Sequence, residues 1–250
     1  MRITLAAVVL ALALGAAGAH AAPPKPLQLE QKCVTKKERR GIVRFRTADR
    51  VRLIGVELGR GPNVVVLAHQ GGGGAPGNLC AWVPYARSLV RSGYRVLVFD
   101  HRGRGSSGQS GRVDRWLAVD LDVRAAVALM RRRGAARIVL GGASLGGTAV
   151  IGAAAVVAPA VQGVFTIGSP VEFGPIDGLD AVRRLAVPAL FMSAEGDDPF
   201  DDDARSFYEA CASADKRVEL VPGTRHGAPV LRDPRAKGLL DAWIAEHFRS

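Results

Sequence analysis

The strongest limit on how this chain folds is an alternation of apolar runs with helical patterns. The stretch "NVVVLAHQ" (63–70) is apolar without a break, as a strand covered on both faces requires. "YRVLVFD" (94–100), "ARIVLGG" (136–142), "VQGVFTIGS" (161–169), "VPALFMSA" (187–194) and "KRVELVPG" (216–223) read as further strands. Helical patterns fall between or after them, at 80–93, 113–134, 147–158, 201–212 and 236–249. This order predicts an α/β fold with a mostly parallel central sheet and helices on both faces. Ahead of it, "GIVRFRTADRVRLIGVEL" (41–58) alternates Val43 and Phe45 against Arg44 and Arg46 and turns at Ala48-Asp49-Arg50. That pattern predicts an antiparallel N-terminal hairpin with one wet face.

Within this frame one junction carries chemistry. Gly142-Ala143-Ser144-Leu145-Gly146 links the strand at 136–142 to an alanine-rich helix that is apolar all round and therefore buried. A G-x-S-x-G pattern between strand and helix is the nucleophile elbow, which holds a serine on a strained turn. The flanking glycines are needed where a Cβ would meet backbone, and the following helix offers unpaired N–H groups to a developing oxyanion.

A serine hydroxyl needs a base. Of five histidines, His20 lies in a leader-like segment, His247 in the last helix, and His69 and His101 precede the serine. His226, in "VPGTRHGAPV", follows a strand end and is the expected base. Its acid is expected in "AEGDDPFDDD", where Asp198 is preferred over Asp197. Asp201, Asp202 and Asp203 read as the first turn of a helix. The order Ser144, Asp198, His226 is the one this kind of fold uses.

The elbow "GASLG", the run "DHRGRGSSG" and the turns "DDP" and "RHG" together resemble the α/β-hydrolase superfamily, from about residue 41 to the end. The nearest resemblance is to small bacterial serine hydrolases of the dienelactone-hydrolase-like and esterase type. Serine replaces the cysteine of true dienelactone hydrolases. The resemblance implies an oxyanion hole with one donor at the backbone N–H of Leu145 and another at Gln70 or Gly71, in "HQGGGG". The stretch between 169 and 187 is too short for a large cap domain, so an open site is expected, with Glu172 and Asp177 either on its rim or on a solvated loop.

The N-terminus, Arg2 followed by an apolar run to about Ala17 and then "GAHAA", reads as a signal peptide (1–21). A basic segment (22–40) and a hydrolase domain (41–250) follow, in a secreted or envelope-located protein. Among Cys33, Cys80 and Cys211, the pair Cys33–Cys80 is preferred because both flank the start of the domain. The net charge of +11 is front-loaded with arginine. Without aromatic interleaving it excludes nucleic acid and reads as a solvated face, with weak association to an anionic envelope as the partner it allows. No metal or organic cofactor is implied. The expected activity is hydrolysis of an ester or related acyl bond of a small-molecule substrate. The competing readings are an amidase or peptidase on the same triad and a non-catalytic sensor on the same fold.

Overall fold

The computed structural model describes residues 25–72 and 76–249. The expected leader (1–21), and Gly73 and Gly74 of the glycine run, lie outside the described residues. The chain opens with strands β1 (Ile42–Arg46), β2 (Arg52–Leu58) and β3 (Asn63–Ala68), then helix α1 (Val83–Arg91) and strand β4 (Arg95–Phe99). Helix α2 (Asp120–Arg132), strand β5 (Arg137–Ala143), helix α3 (Leu145–Ala154) and strand β6 (Gly163–Ile167) form its centre. A small hairpin, β7 (Glu172–Phe173) and β8 (Ile176–Asp177), and a short helix α4 (Gly178–Val182) lead to strand β9 (Ala189–Ala194). Helix α5 (Phe200–Ala210), strand β10 (Lys216–Val221) and helix α6 (Pro234–Arg249) complete it.

Eight strands form one sheet in the order β1-β2-β4-β3-β5-β6-β9-β10. The β1–β2 and β2–β4 pairs are antiparallel and every other neighbouring pair in this sheet is parallel. The pleat sends alternate side chains of each strand to opposite faces. In β3, Val64, Val66 and Ala68 enter one core with α2, α3 and α5, whereas Val65 and Leu67 enter a second core with α1 and α6. All five are fully buried. Full burial of a valine or leucine contributes about 1.5–3 kcal/mol, so both faces hold the strand in place.

Two helices differ from the sequence reading. Residues 113–119 do not extend α2: only Val113–Arg115 form a 3-10 turn, and Val113, Trp116 and Leu117 are exposed. The helix forms from Asp120, where Val123, Ala126, Val127 and Met130 meet the core at helical spacing. Helix α3 begins at Leu145, directly after the serine, and ends at Ala154. The region between β6 and β9 holds only the β7–β8 hairpin and α4, in place of a cap domain. Asp177 caps α4 by accepting the Asp180 N–H, and Glu172 is exposed on the hairpin.

The front-loaded arginines have a structural use. Residues 25–37 run as a strap along the domain, with Leu29 and Val34 buried in the second core. Arg52 donates to the Lys25 carbonyl, Arg44 to Leu27, and Arg39 to Leu29 and Gln31. These bonds satisfy carbonyls of a segment that has no sheet partner. Cys33 and Cys80 form a disulfide that pins the strap, with Cα atoms 5.7 Å apart, and Cys211 is a buried free thiol.

Candidate active site

The carboxyl ends of β3, β5, β6 and β9, with the segment after β10, carry the residues singled out in the sequence. Ser144 follows β5 with φ 49° and ψ −128°, a left-handed backbone that non-glycine residues rarely adopt. The turn is possible because its neighbours lack side chains. A Cβ on Gly142 would lie 2.1 Å from the Gly146 carbonyl oxygen, and one on Gly146 would lie 2.3 Å from that of Ala68. The chain therefore reverses within one residue, and Ser144 stands half-buried at the start of α3.

His226 arrives from the loop after β10, and its Nδ1 donates to Asp197 at 3.0 and 3.1 Å from the two carboxylate oxygens. The expected acid, Asp198, is exposed and does not meet the imidazole. The correction has a geometric reason. Beyond β9, the N–H groups of Glu195 and Gly196 still donate across to Val221 and Gly223, so the sheet edge extends two residues past the strand. Asp197 is the first residue beyond that edge and turns inward, where it is 7% exposed; Asp198 follows it outward into the turn that starts α5. The ring of Phe200 packs against His226 with centroids 4.3 Å apart, covering one face of the imidazole.

Gly168, at the end of β6, borders both Ser144 and His226. The Ser144 N–H donates to the carbonyl of Ile167, immediately before it, at 3.0 Å. A Cβ on Gly168, whose φ is +55°, would lie 2.6 Å from Asp197 Oδ2 and 3.3 Å from His226 Nδ1. One strand end thus borders all three residues. Ser144 and His226 are not hydrogen-bonded to each other, and catalytic hydrogen bonds in free enzymes commonly tighten only with substrate.

The loop after β3 lies against the elbow. A Cβ on Gly71 would lie 2.8 Å from the Leu145 side chain, so Gly71 borders the first turn of α3. Buried His69 orients this loop: its Nδ1 donates to the Gln70 carbonyl at 2.7 Å, and its Nε2 accepts the His101 N–H at 3.1 Å. Both contacts use the neutral ring, and burial pushes the His69 pKa well below its ordinary value. With the Gln70 carbonyl turned to His69, the Gly71 N–H of the same planar peptide faces the other way. The Gln70 side chain accepts the Ala228 N–H at 2.9 Å, which ties the loop to the segment carrying His226. Among the described residues, no backbone carbonyl is bonded to the N–H groups of Leu145, Gln70 or Gly71.

Residues 61–176 match the family model described as serine aminopeptidase, S33. The fold agrees with solved esterases. The Pyrococcus furiosus esterase Pf2001 is similar with a TM-score of 0.67 at 18% identity, over 82% of this chain and 89% of that one. The chain has the α/β-hydrolase fold. The esterase RhEst1 from Rhodococcus sp. ECU1013 superposes with a TM-score of 0.67 at 17% identity, over 82% and 98% of the two chains. For a thermophilic esterase from Thermogutta terrifontis the values are 0.64, 16%, 82% and 98%. No curated protein matches the sequence.

The fold also carries features that the motifs did not disclose. Gln70, expected only as a backbone donor, has a buried side chain that fixes the His226 loop. Phe200 packs on His226. Arg104, in the turn after β4, donates to the Gly71 carbonyl at 2.8 Å and places a cation beside the elbow. The run "DHRGRGSSG" signalled this turn but not the direction of its second arginine. Arg102 is buried on Asp122 and Asp49, whereas Arg104 reaches the site.

Proposed function

We propose that this protein is a serine hydrolase that cleaves a carboxylic ester of a small molecule through an acyl-enzyme. Ser144 attacks the carbonyl carbon and His226 Nε2 takes its proton. Asp197 holds the Nδ1–H tautomer and stabilises the imidazolium that forms. The tetrahedral oxygen rests on the N–H of Leu145 and on that of Gln70 or Gly71, at the positive end of α3. His226 then protonates the leaving alcohol, and a water activated by the same imidazole releases the acid. The observation that carries this reading is the Asp197–His226 pair, its carboxylate buried, bordering Gly168 beside a serine held at φ 49°.

The reading includes export. The Cys33–Cys80 disulfide supports an oxidising compartment, in keeping with the leader-like N-terminus. Weak association with an anionic envelope draws support from Lys37, Arg40, Arg60 and Arg91, which line a cleft of about 850 Å3 beneath the opposite end of the sheet.

A second reading, hydrolysis of an aminoacyl amide, is favoured by the S33 family match alone. A panel of short 4-nitrophenyl esters run beside aminoacyl 4-nitroanilides separates the two. Ester turnover that falls at least about 1,000-fold in His226→Ala is the expected result. Turnover of the anilides alone would replace the ester reading with the amide one.

A further inference from the structure

We infer that Arg104 is a specificity-determining residue that reads a carboxylate on the acyl arm of the substrate. The inference rests on the reading of this site as a serine esterase and names its substrate class. Arg104 sits on a turn with little freedom to move. Its N–H donates to the His101 carbonyl and its carbonyl accepts the Ser107 N–H. Buried Asp100 fastens the same turn by accepting the N–H groups of Ser106 and Leu79.

From this base the guanidinium reaches the oxyanion loop. Nη1 donates to the Gly71 carbonyl, and a Cβ on Gly71 would lie 3.6 Å from Nη2. No carboxylate among the described residues forms an ion pair with Arg104, whereas its neighbour Arg102 has two. A guanidinium carries five N–H donors in a planar fork suited to a carboxylate. Among the described residues the Gly71 carbonyl is the acceptor that its side chain meets.

Arg104 also lines a cavity of about 230 Å3, with Arg102, Gln109, Trp116, Leu117 and Phe173. Trp116 and Leu117, 46% and 45% exposed, bring apolar surface to it. The cavity is of mixed character, and of its two arginines Arg104 is the one with no carboxylate partner among the described residues, beside Trp116, Leu117 and Phe173; a short methylene chain ending in a carboxylate meets both kinds of surface there.

The loop orients the substrate. Gln70 faces the His226 segment through Ala228, and Gly71 faces Arg104. His226 must reach the leaving alcohol to protonate it, so the alcohol arm lies on the Gln70 side and the acyl arm extends past Gly71 toward Arg104. The substrate class is thus a half-ester of a dicarboxylic acid.

Monoethyl adipate and ethyl hexanoate differ at the acyl terminus, carboxylate against methyl, and serve as the test pair. Charge-assisted hydrogen bonds of this kind correspond to about 10- to 100-fold in a rate ratio. The ratio of kcat/KM for adipate over hexanoate is expected to fall by that factor in Arg104→Gln and to recover partly in Arg104→Lys. A purely structural role, through the Gly71 carbonyl, lowers both rates together and leaves the ratio within about threefold of wild type; that result overturns the inference. Calorimetric titration of Ser144→Ala with both esters, with and without Arg104→Gln, supplies a readout free of turnover. Tighter binding of the adipate half-ester that is lost with Arg104 supports the inference even if the nucleophile assignment fails. Equal binding of the two esters by Ser144→Ala removes it even if ester hydrolysis stands.

Discussion

Replacing Asp197 by asparagine tests the correction that the structure makes to the sequence reading. The carboxylate lies 3.0 Å from His226 Nδ1 and is 7% exposed. In the proposed mechanism the imidazole takes the proton of Ser144, and the two groups become an ion pair. At 3.0 Å and an effective dielectric of about 20, their attraction is about 5 kcal/mol, a factor of about 10,000 in rate. The amide also presents an N–H₂ group to Nδ1, which favours the tautomer with its proton on Nε2 and removes the base from the serine. We expect kcat on a chromogenic ester to fall by about 1,000- to 10,000-fold in Asp197→Asn, with a melting temperature near that of the wild type. Asp198→Asn, at an exposed position, is expected to keep kcat within about threefold. A large loss in Asp198→Asn with little in Asp197→Asn would refute the reasoning.

Gly168→Ala should cost activity by pushing on the Asp197–His226 pair. The added Cβ would lie 2.6 Å from Asp197 Oδ2, at a φ of +55°, so a loss of at least about 100-fold in kcat and about 1–3 kcal/mol of stability is expected from paired kinetics and urea melts. The disulfide closes a sequence separation of 47 residues, and the variant with both Cys33→Ser and Cys80→Ser is expected to lose about 2–4 kcal/mol, read from the urea midpoint. An unchanged midpoint would mean that the strap is held without it. Two N–H groups of Arg87 bond Glu38 and hold its carboxyl down at about 2. Because the folded value is depressed, this contribution to stability is complete above the ordinary value of 4.5 and is lost as pH falls toward 2. Thermal melts over that window should therefore fall less steeply for Glu38→Gln than for wild type.

Most of the architecture was legible because the apolar runs are long enough to be buried on both faces, and because Gly142 and Gly146 leave few alternatives for Ser144. What failed to show depended on distances along a third dimension. Choosing between Asp197 and Asp198 required knowing that pairing to β10 continues through Gly196, beyond the last apolar residue of β9. The helix expected at 113–134 was overextended because Val113, Trp116 and Leu117 continue an apolar spacing while facing outward. The basic strap looked like a solvated segment since no pattern marks an arginine that bonds backbone carbonyls. Gln70 and Arg104 act through side chains whose directions are set by the folds of two separate loops.

The central claim is that Ser144 is the nucleophile, and labelling with a fluorophosphonate tests it most directly. Intact-mass and peptide analysis of the labelled protein should place one phosphonate adduct on Ser144, with none in Ser144→Ala and a much slower reaction in His226→Ala. An adduct of unchanged rate in Ser144→Ala would contradict the account.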